Sequence, residues 1–196
     1  MSAKYNVNFQ GNIIVTTVTT KASDVDEWLH NIQSTYHGKT SVVGLDCEWR
    51  PHIIRSMSNI TATLQLCIDK KCLIVQMFYL DYIPQSLKDF FTDPKFTFVG
   101  VEVQDDALKI ENEYGLRVAS TADIQALAMA RWASRFVRKP GLKGLARGVA
   151  ELNMEKPKHV SMSNWEAVNL NVQQIEYACI DDFASYKIGH KLLEEI

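Results

Sequence analysis

The clearest chemical signal in the sequence is a pair of acids inside an otherwise apolar segment. Asp46 and Glu48 stand within Ser41–Trp49, which reads SVVGLDCEW. Such a run predicts a buried central strand, in which residues two apart point to one face, about 6.6 Å apart along the backbone. Two like charges at a core edge are costly to bury unless a cation neutralises them. The pair indicates a divalent metal site, or else a strand end at which both acids meet solvent.

Two further regions supply acids of the same kind. Asp105 and Asp106 follow a predicted strand at Thr97–Val103. One acid at a helix start is commonly a cap, a role that fits Asp105, whereas Asp106 would lie in the first turn, at the carboxyl end of a strand, where α/β sites usually lie. Tyr177 and Asp181 share one face of the C-terminal helix because they are four residues apart. The alternative for this second pair is a simple Tyr–Asp contact.

Together these residues predict one kind of chemistry. Hard divalent cations such as Mg²⁺ or Mn²⁺ prefer carboxylate oxygens, which Asp46, Glu48, Asp106 and Asp181 would supply. Two such ions roughly 4 Å apart can activate a water and stabilise the leaving oxygen of a phosphodiester. The hydroxyl of Tyr177 would orient the attacking water.

The elements that must position these acids are predicted from hydrophobic periodicity. No Pro/Gly/Ser-rich linker divides the 196 residues, so we expect one domain over 1–196. Predicted strands, besides those carrying the acids, are Asn12–Thr19, Ala62–Ile68 and Cys72–Met77, with a turn at Lys70–Lys71. Predicted helices are a segment capped by Ser23, then Ser86–Phe91, Asp106–Tyr114, Asp123–Phe136, Leu142–Leu152 and Val172–Glu195, the last with a capping box at Asn171 and Gln174. This order predicts an α/β fold with a mixed central sheet flanked by helices.

Composition limits how the chain would hold a nucleic acid. Its net charge is −2, so a global basic field is absent and any contact must use a local patch. The candidates are Arg131, Arg135, Arg138, Lys139, Lys143 and Arg147, followed by Lys156, Lys158 and His159. A solvated helix face explains the same charges equally well. Leu64 is a candidate wedge for a terminal base, and Trp165 is either a stacking residue or a core anchor.

Other classes of protein are disfavoured by what the sequence lacks. No apolar stretch approaches the ~18 residues of a membrane helix and no signal peptide is evident, so we expect a soluble protein of the nucleus or cytosol. The four cysteines form no C-x-x-C pair, which disfavours zinc and favours buried thiols. We see no helicase motif, so a helicase partner would act in trans, and a homo-oligomer is compatible with the sequence.

Three segments resemble the motifs of the DEDD 3′-5′ exonucleases. They are VGLDCEWRP with TLQLCI, FVGVEVQDDALKI, and SMSNWEAVNL with YACIDDFASYKI, in that order along the chain. The similarity is greatest to the Werner syndrome helicase exonuclease domain and its stand-alone plant relatives, with RNase D a more distant cousin. It implies a ribonuclease H-like (DnaQ-like exonuclease) fold and a two-metal mechanism with Mg²⁺ or Mn²⁺.

The resemblance also implies site residues. Asp46 and Glu48 match the first-motif acids, Asp106 the second-motif Asp, Asp181 the last Asp, and Tyr177 the tyrosine of the DEDDy branch. The sister branch has a histidine where this chain has Glu176.

Three positions depart from the family pattern. Glu102 stands where relatives usually have Gly, Asp182 where a small residue is usual, and Leu108 where the Werner enzyme has an aromatic residue.

From the matched motifs we expect an exonuclease acting on nucleic-acid 3′ ends, with DNA favoured. The alternatives are a catalytically weakened nucleic-acid-binding or assembly module and an RNase D-like RNA-trimming enzyme.

Overall fold

A computed structural model describes residues 2–52, 54, 58–132, 134, 136 and 138–193. The strands are β1 (Ser2–Phe9), β2 (Asn12–Thr19), β3 (Ser41–Glu48), β4 (Thr63–Ile68), β5 (Lys71–Gln76), β6 (Phe96–Gly100) and β7 (Thr121–Asp123). The helices are α1 (Ala22–Thr35), α2 (Gln85–Thr92), α3 (Val103–Tyr114), α4 (Ile124–Trp132), α5 (Leu142–Val149), α6 (Lys158–Ser161) and α7 (Val172–Leu193), with a 3₁₀ turn at Met77–Tyr79.

The strands form one mixed sheet in the order β1-β2-β5-β4-β3-β6-β7. The consecutive strands β3, β4 and β5 form an antiparallel meander, and β1 is antiparallel to β2. Pairing is parallel between β2 and β5, β3 and β6, and β6 and β7. The predicted α/β fold with a mixed central sheet is confirmed.

The interior strands are buried on both faces, which requires helices on both sides of the sheet. Every residue of β4 is buried, and β3 is buried until its last three residues, where Asp46 and Glu48 become partly exposed. Helix α7 lies along β3 and contacts α4, α5 and α6, while α1 contacts α2 and β5. Strand β3 is therefore central, and its carboxyl end opens at one edge of the layered core.

Strand β1 escaped the sequence analysis because its pattern is weak. It pairs with β2 over eight residues, yet only Val7 and Phe9 are fully buried. The short strand β7 was also missed, and its last residue, Asp123, was predicted as the first residue of a helix. The predicted cap at Ser23 is wrong, since α1 begins at Ala22 and its N-cap residue is Lys21.

Other local predictions are confirmed. Asn171 and Gln174 form a reciprocal capping box, with N–H···O distances of 3.0 and 2.9 Å. Helix α3 ends at Tyr114, as predicted, and Gly115 follows it in the left-handed region at φ 67°. All four cysteines are free and buried. Among the described residues, no helix combines the length and the apolar composition that a bilayer crossing requires.

Helix α7 lies unusually close to β3, and Gly44 makes this possible. A methyl group at Gly44 would lie 2.7 Å from Oδ1 of Asp182 and 3.2 Å from the amide nitrogen of Tyr186, and closer still to a carbonyl oxygen of α7. Near the other end of the helix, a methyl group at Gly189 would lie 2.6 Å from a methyl carbon of Val99. The absence of side chains at these two glycines sets the distance between helix and sheet.

We expect Gly44→Ala to destabilise the fold, because the added methyl group would clash with the backbone of α7 and the helix would have to move away from β3. Overpacking of this kind costs about 1–3 kcal/mol. Urea unfolding in chelator measures the loss. The control is Gly141→Ala, where the added carbon meets nothing within 4 Å and φ is −79°. Equal losses in the two variants would contradict the role given to Gly44.

Candidate active site

Three carboxylates from two elements meet at the carboxyl end of β3. Asp46 and Glu48 come from the strand and Asp181 from α7, and each offers an oxygen within 4.8 Å of the others. Asp181 is 1% exposed, while the two strand acids are partly exposed. The predicted common face of Asp46 and Glu48 accounts for their meeting, and the close approach of α7 brings in the third acid.

Asp106 lies beside this group without being one of its three members. It belongs to the first turn of α3, which follows β6, and β6 runs parallel to β3. The two strands therefore end at the same edge of the sheet. Burial, and after it the charge of Asp46, raises the pKa of Asp106 to about 8. The helix begins at Val103 rather than after Asp105, so the prediction that Asp105 precedes it is wrong.

The corner before α3 is held by Asp123, whose role as an acceptor was not predicted from the sequence. Glu102 adopts a left-handed backbone at φ 57°, and its amide donates a 2.9 Å hydrogen bond to Asp123 Oδ2. The other oxygen of Asp123 accepts hydrogen bonds from the amides of Gln125 and Ala126, which caps α4. An Asp directly before an apolar helical run is a typical N-cap signal. The φ value also gives a physical reason for a glycine at position 102.

Burial makes the acidic cluster costly to ionise. It is the largest cause that raises the pKa of Glu48 to about 9, and the charge of Asp46 is the second. Burial likewise raises the pKa of Asp46, and it raises that of Asp181 to about 6 against the opposing effect of Lys156. The cluster therefore favours either protons or bound cations.

A lysine of the chain itself already contacts this cluster. The Lys156 ammonium pairs with the Asp181 carboxylate, and the charge of Asp181 is the largest favourable cause raising the lysine's pKa, against burial. The same ammonium lies 5.4 Å from the ring centroid of Tyr177. In the sequence Lys156 stands out only as one of several basic residues, because no spacing rule connects it with Asp181.

Tyr177 lies one helical turn before Asp181 and is 7% exposed. Its ring packs against that of Trp165, with 6.0 Å between the centroids. Burial first, and the charge of Asp181 second, raise the pKa of its hydroxyl, which keeps its proton at neutral pH. Glu176, at the position of the sister branch's histidine, is exposed.

Asp182 is a core residue that faces β3. Its side chain is fully buried, and neither carboxylate oxygen has a hydrogen-bond partner among the described residues. Burial raises the pKa of this carboxyl well above its usual value. A buried acid without a partner is a protonated one, so Asp182 adds no exposed negative charge to the site.

Two residues predicted to contact a nucleic acid lie in the core. Leu64 is 0% exposed in β4, and Trp165 is 1% exposed with its indole N–H donating to the Ser161 carbonyl at 3.1 Å. The structure thus places both side chains away from the surface, and of the two interpretations of Trp165 it favours the core anchor. Leu64, Leu66 and Ile68 recur at every second position of TLQLCI, and this alternation was the signal that Leu64 faces a core.

The predicted basic residues divide into paired and unpaired groups. Lys143 on α5 pairs with Glu155 at 2.6 Å, and Lys139 pairs with Glu102 at 3.6 Å. Arg147, on the same helix as Lys143, is exposed. Arg135 lies outside the described residues. Lys139, Lys143 and Arg147 are on the surface, as a patch that contacts phosphates requires.

We expect the metal-free protein to lose stability as the pH rises from about 4 to 9. A carboxyl with a higher pKa in the folded than in the unfolded chain binds more protons when folded, so the free energy of unfolding falls between the two values. These windows run from 3.8 to about 6 for Asp181, 3.8 to about 8 for Asp106 and 4.5 to about 9 for Glu48. Each retained proton contributes a slope of about 1.4 kcal/mol per pH unit. Urea unfolding in chelator across this range measures the slope, and rising stability would contradict the electrostatics.

We expect Glu102→Gly to stabilise the protein by about 1 kcal/mol, because glycine adopts the left-handed region without steric cost. The exposed pair with Lys139 contributes little to offset this gain. Thermal unfolding of the purified variant measures the effect. Glu102→Ala is the control, since it removes the carboxylate and keeps the strain; a gain as large as that of the glycine variant would contradict the backbone argument.

Comparisons with known proteins match this architecture. Residues 16–196 match the family described as 3′-5′ exonuclease. A 3′-5′ exonuclease of Arabidopsis thaliana is 28% identical over 97% of the chain, and exonuclease 3′-5′ domain-containing protein 2 of Drosophila melanogaster is 30% identical over 87%. The chain covers 66% and 28% of the lengths of these two proteins.

Solved structures agree. The crystal structure of the EXD2 exonuclease domain soaked in Mn superposes with a TM-score of 0.54 at 26% identity, covering 91% of this chain and 89% of that one. The same domain soaked in Mn and GMP gives 0.52 at 27% identity over the same shares. The expected ribonuclease H-like fold is confirmed. With the acids of β3, α3 and α7 gathered at one sheet edge and nearly the whole chain matched, this protein belongs to the 3′-5′ exonuclease family.

Proposed function

We propose that the chain is a metal-dependent 3′-5′ exonuclease that hydrolyses phosphodiester bonds at nucleic-acid 3′ ends, with DNA favoured. The observation that carries the proposal is the meeting of Asp46, Glu48 and Asp181 within 4.8 Å. Asp106 lies beside them and Tyr177 precedes Asp181 by one turn. The names of its relatives support the reaction class.

The donor set fits hard divalent ions. All its ligands are carboxylate oxygens, the type that Mg²⁺ and Mn²⁺ prefer, and no histidine or thiolate is among them. The EXD2 exonuclease domain was soaked in Mn and Mg, separately and together. We propose that Asp46, Glu48, Asp106 and Asp181 would hold the ions. Two bound ions would activate the attacking water and stabilise the leaving 3′ oxygen.

Tyr177 would orient the attacking water in this scheme. Its hydroxyl stays protonated and lies on the same helix face as Asp181. Packing against Trp165 fixes the direction of the ring. A phenol held in one orientation can donate one hydrogen bond and accept another, which is what positioning a nucleophile requires.

Exposed cations near the site would hold the phosphate backbone of the substrate. We propose Lys139, Lys143 and Arg147 for this contact, since all three are on the surface. The ion pairs of the two lysines with Glu102 and Glu155 are exposed, so a phosphate can replace either acid at little cost.

The described residues share one sheet and one hydrophobic core, which supports a single exonuclease domain over 1–196. We propose that this domain works in the nucleus or cytosol, in the manner of the Werner exonuclease. A helicase partner and a homo-oligomer are both compatible with the fold.

We expect Asp46→Asn and Asp106→Asn each to lower the exonuclease rate by at least about 100-fold, because each removes a metal ligand. The assay uses a 5′-labelled recessed DNA duplex with Mn²⁺ and follows the shortening ladder on a gel. Glu111→Gln is the matched control on α3. Its side chain is exposed, and it lies more than one helical turn after Asp106.

A ladder that persists in chelator or in the Asp46→Asn variant would contradict the proposal. End binding without cleavage in several metals would favour the weakened binding module. The same assay on matched RNA ends tests the choice of nucleic acid, because the EXD2 domain was soaked with both GMP and dGMP. RNA trimming equal to or faster than DNA trimming would favour the RNase D-like alternative.

A further inference from the structure

The cation that contacts the acidic cluster belongs to the protein itself. The Lys156 ammonium pairs with Asp181, and the charge of Asp46 also attracts it. Among the described residues, this is the one ion pair that Asp46, Glu48 or Asp181 makes. Lys156 thus neutralises part of the charge that would attract a divalent ion.

The two partners of this pair differ in their freedom to move. Asp181 sits on a long helix and its side chain is 1% exposed, whereas that of Lys156 is 34% exposed. The lysine precedes Pro157, the N-cap residue of α6, and follows Glu155, which Lys143 holds at 2.6 Å. Its backbone is therefore held next to the start of α6, while its flexible four-carbon stem can swing towards solvent.

Lys156 and a metal ion require the same carboxylate, that of Asp181. The three acids that could hold an ion lie within 4.8 Å of one another, so an ion between them contacts Asp181 where the ammonium now lies close. An ammonium and a divalent cation repel strongly at such a separation in a partly buried site. Both cations cannot occupy the Asp181 carboxylate together without a large loss of affinity for one of them.

We propose that Lys156 competes with the divalent ion for Asp181, so that the ammonium must leave before the ion enters. This inference rests on the proposed metal-dependent function and deepens it. Lys156 holds the cluster together in the absence of metal and sets the metal affinity of the centre. The paired ammonium lies 5.4 Å from the ring centroid of Tyr177, so its departure would free space next to the residue proposed to orient the attacking water.

Metal titration of a variant tests the competition. We expect Lys156→Met to bind Mn²⁺ at least about tenfold more tightly than the wild type in isothermal titration calorimetry. Lys158→Met is the matched control, because it removes the same charge from an exposed position two residues away. Its affinity should change less than about threefold. An affinity of the Lys156 variant equal to or weaker than that of the Lys158 variant would overturn the proposal.

A second measurement uses the wild type alone and so does not depend on a variant that folds. An amine-acylating reagent is applied in chelator and in Mg²⁺, and the modification of each lysine is followed by mass spectrometry. Release of the ammonium predicts acylation of Lys156 several-fold faster with Mg²⁺, with Lys158 and Lys143 unchanged. An equal or slower rate at Lys156 would overturn the proposal.

Different results would contradict the proposed metal-dependent function and the proposed role of Lys156. Absence of any Mn²⁺ binding by the wild type would remove the proposed function together with this inference. Mn²⁺ binding and metal-dependent cleavage by the wild type, with no gain of affinity in Lys156→Met over the Lys158 control, would overturn the role of Lys156 alone.

Discussion

Helix α7 can carry Asp181 to the end of β3 only because Gly44 places no side chain between them. The helix backbone and the Asp182 carboxyl occupy the space that a methyl group at Gly44 would need. Gly189 allows the same closeness near the other end of the helix. With any other residue at these points, the helix would lie farther from the sheet and the third acid would move away from Asp46 and Glu48. The acidic centre is thus a consequence of backbone packing before it is one of electrostatics.

The same closeness places several carboxylates next to one another, where their negative charges repel. Carboxyls gathered in a partly buried pocket have raised pKa values, because burial disfavours the charged form and neighbouring carboxylates repel one another. The ammonium of Lys156 relieves part of this repulsion. Sites that hold unfavourable charges in the absence of their ligand are typical of catalytic centres, where stability is lower so that binding can be stronger.

Features that arise from local patterns could be predicted from the sequence. Alternation in SVVGLDCEW placed Asp46 and Glu48 on one face, and helical spacing placed Tyr177 with Asp181. Features that arise from contacts between distant segments could not be predicted in this way. The approach of Lys156 to Asp181 joins a loop to a helix, and the hydrogen bond from Glu102 to Asp123 joins two corners of the sheet.

Errors in the prediction have similar physical causes. Only Val7 and Phe9 of β1 are buried, and its sequence is mostly polar, so it lacks the apolar pattern typical of a strand. It is a strand because its backbone pairs with β2. Leu64 was considered for the surface because it lies near the acids along the sequence, but β4 is covered on both faces and every one of its residues is buried. Proximity in sequence to a site says little about exposure when the strand in question is central.

The pairing of β3 with β4 places Asp46 opposite Gln65 and Glu48 opposite Thr63. Side chains alternate between the two faces of a strand, so a shift of this pairing by one residue would turn both acids to the opposite side of the sheet. Evolution can therefore lengthen or shorten the segment between these strands, since its length leaves the register untouched. Within β3 itself, insertions and deletions are excluded, whereas its apolar residues can be exchanged for others as long as Gly44, Asp46 and Glu48 are kept. Conservation of strand length, more than of any single apolar residue, is the constraint that the acidic centre imposes on its own scaffold.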